Sequence, residues 1–379
     1  MPVTKKAFVL FEDGSVHQGR ALGFDIETFG EVVFNTAMTG YQEVLTDPSY
    51  CQQMVVMTYP HIGSYGIHQS HSESDKPHLS AMIMGDYVDH YSHKNACSSL
   101  NAFLIQHQIP AIDQVDTRLM TQKVRTLGAM KAVITRDETQ IDSLKKRLHT
   151  MPSMEGKNLV SHVTCKQSYY WQTDHADKTC DLEGAPCVVV IDCGVKQHIL
   201  RSLVSMGLQV EVVPAETCAE DILSRKPDGI MISNGPGDPE AVTKVIETLK
   251  LLMGKVPMMG ICLGHQLLAL ALGGKTYKLK FGHHGTNHPV QNIESKKIEI
   301  TSMNHGFAVD RASLESSNAF GPVEISHLHL SDGTVEGFRL KQAPVIGIQY
   351  HPEGAPGPHD AHYLFKEFAQ CIKRFMKTS

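Results

Sequence analysis

The sequence predicts an α/β protein, with a C-terminal, mostly parallel sheet flanked by helices and an N-terminal α+β domain before it. Three observations lead there. From residue 187 onward, short apolar β-branched runs alternate with stretches of helical period, the grammar of repeated β-α units. Before residue 165 the strands are short, separated by turn signals, and followed by helical stretches without that alternation. A chain of 379 residues also exceeds what one ordinary core accommodates. The expected division is a first domain over 1–165, a linker over 166–186 and a second domain over 187–379.

In chain order, "KAFVLFEDGSVHQGRALG", "EVVFNTAM" and "QQMVVMTYP" read as strands, and helices are expected around 97–107 and 117–127. The stretch "CKQSYYWQTDHADKTCDLEGAP" (165–186) is polar and aperiodic, as a linker would be. "CVVVIDCG" (187–194) is a buried strand, followed by the helix-like "VKQHILRSLVSMG" and the strand "LQVEVVPA". A helix over Ala219–Ser224 leads to the strand "DGIMISNG" (228–235), and a helix over Ala241–Met253 to the strand that begins at Val256. A β-rich part then covers Lys297–Met303 and the hairpin "EISHLHLSDGTVEGFRL" (324–340), turning at Asp332-Gly333. The strand "PVIGIQYHPE" and a helix over 359–376 close the chain.

Composition narrows the function classes. There are 35 basic and 40 acidic residues, a net charge of −5, and no basic block, so nucleic acid is not an expected partner. Apolar runs such as Leu267–Leu272 fall far short of the ~20 residues that span a bilayer. The opening "MPVTKKAFVLFEDGSVHQGR" reads as a strand and hairpin turn, not a signal peptide. Nine cysteines, an odd number without a C-x-x-C pair, suit a reducing compartment such as the cytoplasm. The histidines of "FGHHGTNHP" (281–289) have no cysteine or carboxylate at ligand spacing, so no metal site is read there.

The chemistry concentrates in "VPMMGICLGHQLLALALGG" (256–274), where a buried strand meets a helix at Gly260-Ile-Cys262-Leu-Gly264. Small residues on either side of a thiol at a sharp strand-to-helix turn follow the logic of a nucleophile elbow. The helix N-terminus favours negative charge beside it. Taken alone, Cys262 reads more readily as one more buried cysteine than as a nucleophile. Partners appear elsewhere. His351 and Glu353 stand two apart at the end of an apolar strand, where i and i+2 face the same way. A carboxylate so placed holds one imidazole nitrogen and leaves the other to deprotonate a thiol. The loop "SNGPGDP" (233–239) also follows a strand, and in parallel sheets the carboxyl ends of strands carry the site.

These residues carry a resemblance. G-I-C-L-G-H-Q followed by H-P-E resembles the triad-type (class I) glutamine amidotransferases. Within them, "NTAMTGYQEVLTDPSY", "YPHIG", "DTRLMTQKVRTLGAM", "SNGPGDP", "FGHHGTNHPV", "NHGFAVD" and "HPEGAPGPHDA" resemble the small-subunit family of carbamoyl-phosphate synthetases. The likeness covers nearly the whole chain, although the polar stretches near 68–76 and 166–186 match no pattern.

The resemblance implies a class I amidotransferase fold for the second domain. It also implies a glutaminase that passes ammonia to a large synthetase subunit, in a heterodimer or higher oligomer. Cys262 would attack the side-chain amide of L-glutamine, His351 would act as base and then acid, and Glu353 would orient His351. Backbone N–H groups of Leu263 and Gly235 would hold the oxyanion. Glutamine contacts are implied at Ser49, Gly235, Gly237, Leu263, Gln266, Asn304, Gly306 and Phe307. His305 is expected to support the site, and His283 and His284 to form structural hydrogen bonds near it. Asp47 and Asp238, each before a proline, are expected to be turn formers. No cofactor is expected in this chain. It has no G-x-x-x-x-G-K-[ST], so ATP and magnesium are assigned to the synthetase partner, for carbamoyl-phosphate synthesis that feeds arginine and pyrimidine formation. The alternatives are a freestanding cysteine hydrolase of γ-glutamyl hydrolase type and a non-catalytic regulatory subunit.

Overall fold

The short N-terminal strands close into a barrel. The computed structural model describes residues 5–172, 184–316 and 320–377, and the chain forms two units. The first runs to Glu155 and includes Lys280–Gly285. Its elements are β1 (Lys6–Phe11), β2 (Val16–Gly23), β3 (Thr28–Asn35), α1 (Tyr41–Thr46), β4 (Gln53–Met57), β5 (His61–Ile62), β6 (Ala81–Ile83), β7 (Asp86–Tyr87), α2 (Leu100–Gln106), β8 (Pro110–Asp113), α3 (Thr117–Leu127), β9 (Met130–Thr135) and α4 (Ile141–Thr150). The barrel order is β1-β2-β8-β6-β4-β3-β9, closed where Phe8 of β1 pairs with Thr135 of β9. Val9, Phe11, Val32, Phe34, Val56 and Ile134 alternate into one core cluster. The opposite faces of β3 and β4, through Val33 and Val55, pack with Tyr41, Leu45, Leu100 and Leu104. Strands buried on both faces read as unbroken apolar runs, which is why period alone did not reveal the barrel.

The second unit runs from Gly156 to Leu279 and resumes at Thr286. It holds β10 (Tyr169–Tyr170), β11 (Cys187–Asp192), α5 (Gln197–Ser205), β12 (Gln209–Pro214), α6 (Ala219–Ser224), β13 (Gly229–Ile232), α7 (Thr243–Leu252), β14 (Met258–Ile261) and α8 (Leu263–Ala271). There follow β15 (Thr276–Asn292), β16 (Ile298–Val309), α9 (Arg311–Ser316), β17 (Val323–His329), β18 (Val335–Leu340), β19 (Val345–Ile348) and α10 (Tyr363–Phe375). One sheet runs β10-β12-β11-β13-β14-β19-β18-β17-β15-β16. The run from β12 to β19 is parallel, whereas β18 and β17 are antiparallel. Helices α6, α7 and α8 cover one face through Ile222, Leu249 and Leu267. Helices α5 and α10 cover the other through Leu200, Leu203, Phe365 and Phe368. Sheet and helices thus follow the expected α/β order, and β14, β13 and β19 end near one another on the sheet's carboxyl edge.

The units divide at Glu155, ahead of the boundary expected at 165. The intervening segment is tied to the second unit: Asn158 bridges Gly237, and the Cys165 N–H donates to Asp192 Oδ2 at 2.7 Å. Part of the expected linker is also ordered into the sheet, since β10 pairs with β12 and the Trp171 N–H donates to the Val210 carbonyl at 2.9 Å. Residues 173–183 of that linker lie outside the described residues. Among the described residues no helix is long and apolar enough to cross a membrane.

Candidate active site

Cys262 is the one residue between β14 and α8, and the strain of the turn falls on it. Its backbone adopts φ 54°, ψ −105°, a conformation that costs an L residue on the order of 1–3 kcal/mol and persists only where neighbours enforce it. Two hydrogen bonds do so: the Cys262 N–H donates to the Ile348 carbonyl at 2.8 Å, and the Gly264 N–H to the Ser233 carbonyl at 3.1 Å. The flanking glycines do not themselves carry the strained backbone. Neither has positive φ; they allow close approach. A Cβ on Gly260 would strike the Gly264 carbonyl, and one on Gly264 would strike the Ile232 carbonyl. The glycines let helix, turn and strand cross without room for a methyl group, and the cysteine bears the strain.

The thiol is buried, and Sγ donates to the Asn304 carbonyl on β16 at 3.5 Å. His351 reaches it from beyond β19. Strand alternation is not what aligns His351 with Glu353, because β19 ends at Ile348. His351 instead forms an isolated bridge to Ser302, its N–H donating to the Ser302 carbonyl at 2.8 Å, and the chain turns so that the Gly354 N–H returns to the His351 carbonyl at 3.1 Å. The turn brings Glu353 Oε1 to 2.7 Å from His351 Nδ1. Nε2 has no hydrogen bond of good geometry, while the Cys262 thiol lies close enough to act on the ring.

A third charge completes the arrangement, and sequence reasoning missed it. Lys196, at the turn between β11 and α5, places Nζ 2.9 Å from Glu353 Oε1 and also donates to the Ala355 carbonyl. Its own N–H is held by Asn234 Oδ1 at 3.1 Å, which ties this turn to the glycine loop. Burial opposes ionisation of Glu353, but Lys196 and His351 outweigh it and hold the carboxyl well below the usual carboxylate range. Burial likewise opposes a charged His351. The Glu353 carboxylate prevails, and the imidazole is raised to about 10. The only sequence signal for Lys196 is a lysine in an otherwise apolar strand-to-helix turn.

The other expected contacts gather around this turn. A Cβ on Gly235 would strike the Cys193 carbonyl and come within 2.8 Å of the Leu263 side chain, so the loop after β13 packs directly on the start of α8. As the first residue of that helix, Leu263 has an N–H without an intrahelical acceptor. Gly237 has φ 92° and faces the Lys157 carbonyl. Gln266 Nε2 donates to the Phe307 carbonyl at 2.7 Å. His305 Nδ1 donates to the same carbonyl at 2.8 Å, since a carbonyl oxygen only accepts. Gly306 would meet nothing within 4 Å if it bore a Cβ, so its backbone is open to approach.

Ser49 belongs to the first unit, in a 3₁₀ turn where its N–H donates to Asp47 Oδ1 at 2.9 Å. Asp47 and Asp238 each cap such a turn, as turn formers do. His283 and His284 are buried, and the His284 carbonyl accepts from Thr36 at 3.3 Å within the first unit. His265, beside the nucleophile in sequence, is fully buried with its ring 4.9 Å from Phe338; burial pushes its imidazole down to about 3, so it stays neutral.

Comparison with known proteins covers both units. Residues 189–371 match the family model described as glutamine amidotransferase class-I, and residues 9–134 match carbamoyl-phosphate synthase small chain, CPSase domain. The chain is 46% identical over 374 residues to the carbamoyl phosphate synthase small chain of Syntrophotalea carbinolica, covering 97% of this chain and 98% of that one. It is 48% identical over 371 residues to the protein of that name from Chlorobaculum tepidum, covering 97% and 98%. It is also 48% identical over 373 residues to the one from Aquifex aeolicus, covering 97% and 99%.

Proposed function

The chain belongs to the carbamoyl phosphate synthase small-chain family, and from that premise we propose that Cys262, His351 and Glu353 carry its glutaminase step. It is the glutamine amidotransferase subunit of glutamine-hydrolysing carbamoyl-phosphate synthase. The observation that carries the site assignment is the buried sequence of charges Lys196, Glu353 and His351 ending at the strained Cys262.

The thiol proton passes to His351 Nε2 as sulfur attacks the side-chain amide carbon of glutamine. Glu353, 2.7 Å from Nδ1, favours the imidazolium that exists once the ring holds that proton. The Leu263 and Gly235 N–H groups receive the oxygen of the tetrahedral intermediate. Collapse breaks the C–N bond, and ammonia leaves with the proton returned by His351. Water then adds to the thioester with His351 as base, releasing glutamate and the thiol. Throughout, Glu353 holds Nδ1 and the charge of the ring, and Lys196 keeps Glu353 ionised. Within the second unit, Gly235, Gly237, Leu263, Gln266, Asn304, Gly306 and Phe307 bind the glutamine.

The partner is a large synthetase subunit. In this reading the two form a heterodimer in the cytoplasm, and the partner uses ATP, magnesium and bicarbonate to make carbamoyl phosphate from the ammonia. Such a chain supplies arginine and pyrimidine synthesis. The test is glutamate release by the purified chain across a titration of the synthetase subunit. A rate that rises with the partner supports the reading; a high basal rate indifferent to it favours a freestanding hydrolase, and no glutamate release in either state refutes it.

A further inference from the structure

Gln349 stands two residues before His351, is fully buried, and takes no part in the chemistry above. Its neighbours decide which way two amides point. The Phe307 carbonyl can only accept, and it lies 2.7 Å from the Gln266 amide, so the atom facing it is Nε2. The second proton of that nitrogen goes to Gln349, 3.0 Å away, whose facing atom is therefore Oε1. One main-chain oxygen thus orders both side chains. Both N–H bonds of Gln266 are spent inside the protein, which leaves Gln266 only an acceptor, Oε1, to offer a ligand. Gln349 Nε2 is itself buried without a hydrogen-bond partner. An apolar residue of the same shape would remove that unmet donor, and with it the acceptor that Gln266 uses.

We propose that Gln349 is a positioning residue for substrate: by taking the second Nε2 proton it holds Gln266 Oε1 as the acceptor for the α-ammonium group of glutamine. The inference rests on the glutaminase reading and adds to it which end of the substrate Gln266 meets. Gln266 follows Cys262 by one helical turn, its N–H donating to the Cys262 carbonyl at 3.2 Å, a displacement of about 5.4 Å along the axis. In an extended glutamine, four bonds separate the side-chain amide carbon from the α-nitrogen, roughly 5 Å. With the amide carbon at Sγ, the ammonium end matches that displacement and the amide nitrogen does not. An acceptor-only group suits an ammonium, which only donates.

The experiment uses the chain with its synthetase partner. It reads kcat and KM for glutamine, and the inhibition constant of glutaramate, which is glutamine without its α-amino group. Gln349→Met is expected to raise the glutamine KM about fivefold to tenfold, the scale of one lost hydrogen bond. It should leave kcat within about twofold and the glutaramate constant unchanged. A packing defect would weaken both ligands alike, so equal shifts overturn the proposal, as does an unmoved glutamine KM. Gln266→Met gives an independent reading that does not depend on how the Gln349 variant folds. It should also weaken glutamine and spare glutaramate, and equal loss of both overturns the ammonium assignment. A wild-type pair that releases no glutamate from glutamine overturns the glutaminase reading and this inference together, whereas wild-type turnover with equal shifts removes the inference alone.

Discussion

Lys196 and Glu353 form an ion pair sealed from solvent, with Nζ 2.9 Å from Oε1 and side chains 2% and 0% exposed. Desolvating two charges is costly, and a pair of this kind is weak evidence for stability by itself. Its place is informative, because the same carboxylate oxygen also takes His351 Nδ1. The lysine therefore acts on the imidazole in two opposed ways, through the carboxylate that it keeps charged and directly, by a repulsion that lowers the ring's pKa.

Replacing Lys196 by methionine keeps most of the stem's volume and removes the charge. Glu353 would then lose the cation that most lowers its pKa against the effect of burial, so it takes up a proton at higher pH. The acid limb of kcat/KM for glutamate release is expected to move upward in pH. Stability should fall by about 3–5 kcal/mol, as for a buried pair deprived of one member. A pH-rate profile decides it: an acid limb that stays in place removes Lys196 from the chain of charges.

His351 makes a second pH prediction, for folding. Its pKa in the folded protein is raised to about 10, above the ~6.5 of a free imidazole. A group raised on folding contributes stability that is complete below its unfolded pKa and is lost as pH rises through the folded value. The urea midpoint of the wild type, minus that of His351→Asn, should thus be largest near pH 6 and decline between about 6.5 and 10. A difference that grows with pH would mean that the ring is neutral in the folded state.

What could be read from the sequence divides by the range of the contact. The elbow was readable because strand, Cys262 and helix are contiguous, and His351 with Glu353 was readable because they are two residues apart. The reason given for that pair was wrong in detail, since a turn after β19 aligns them and not strand alternation. The role of Lys196 was unreadable: its partner lies 157 residues away, and a lysine in an apolar turn does not name the carboxylate that it meets. The barrel was unreadable for the same reason, because closure is a pairing of Phe8 with Thr135. Period shows which face of a strand is buried, not which distant strand lies beside it.

The glycines near the thiol separate into two kinds, and alanine substitutions should show it. Gly264→Ala and Gly235→Ala would drive a Cβ into the Ile232 and Cys193 carbonyls, main-chain atoms that cannot swing aside. Both are expected to lower thermal stability along with glutamine turnover. For Gly235, the ~10²–10³-fold loss typical of a missing oxyanion donor would therefore come with a folding defect. Gly306→Ala meets nothing within 4 Å, so its melting temperature should stay at the wild-type value and any loss should appear in KM. Thermal melts beside steady-state kinetics test the division, and a destabilised Gly306→Ala with a stable Gly264→Ala would reverse it.

The nucleophile itself is tested by Cys262→Ser. Serine has nearly the shape of cysteine and the same backbone preferences, so the strained φ of 54° and the close crossing at Gly260 and Gly264 are left as they were. Folding and binding of the synthetase partner should both survive. What changes is the atom that attacks. A serine hydroxyl is far harder to ionise than a thiol of pKa ~8.5, and a thiolate is the stronger nucleophile at a carbonyl. The variant complex is expected to lose glutamine-dependent carbamoyl-phosphate synthesis. It should retain synthesis from added ammonia, because that chemistry belongs to the partner. The two substrates, measured on one preparation, separate a lost nucleophile from a lost complex. Loss of both activities would place the damage in assembly. Glutamine turnover near the wild-type rate would show that a group other than Cys262 opens the amide, and the assignment of His351 and Glu353 as its partners would fall with it.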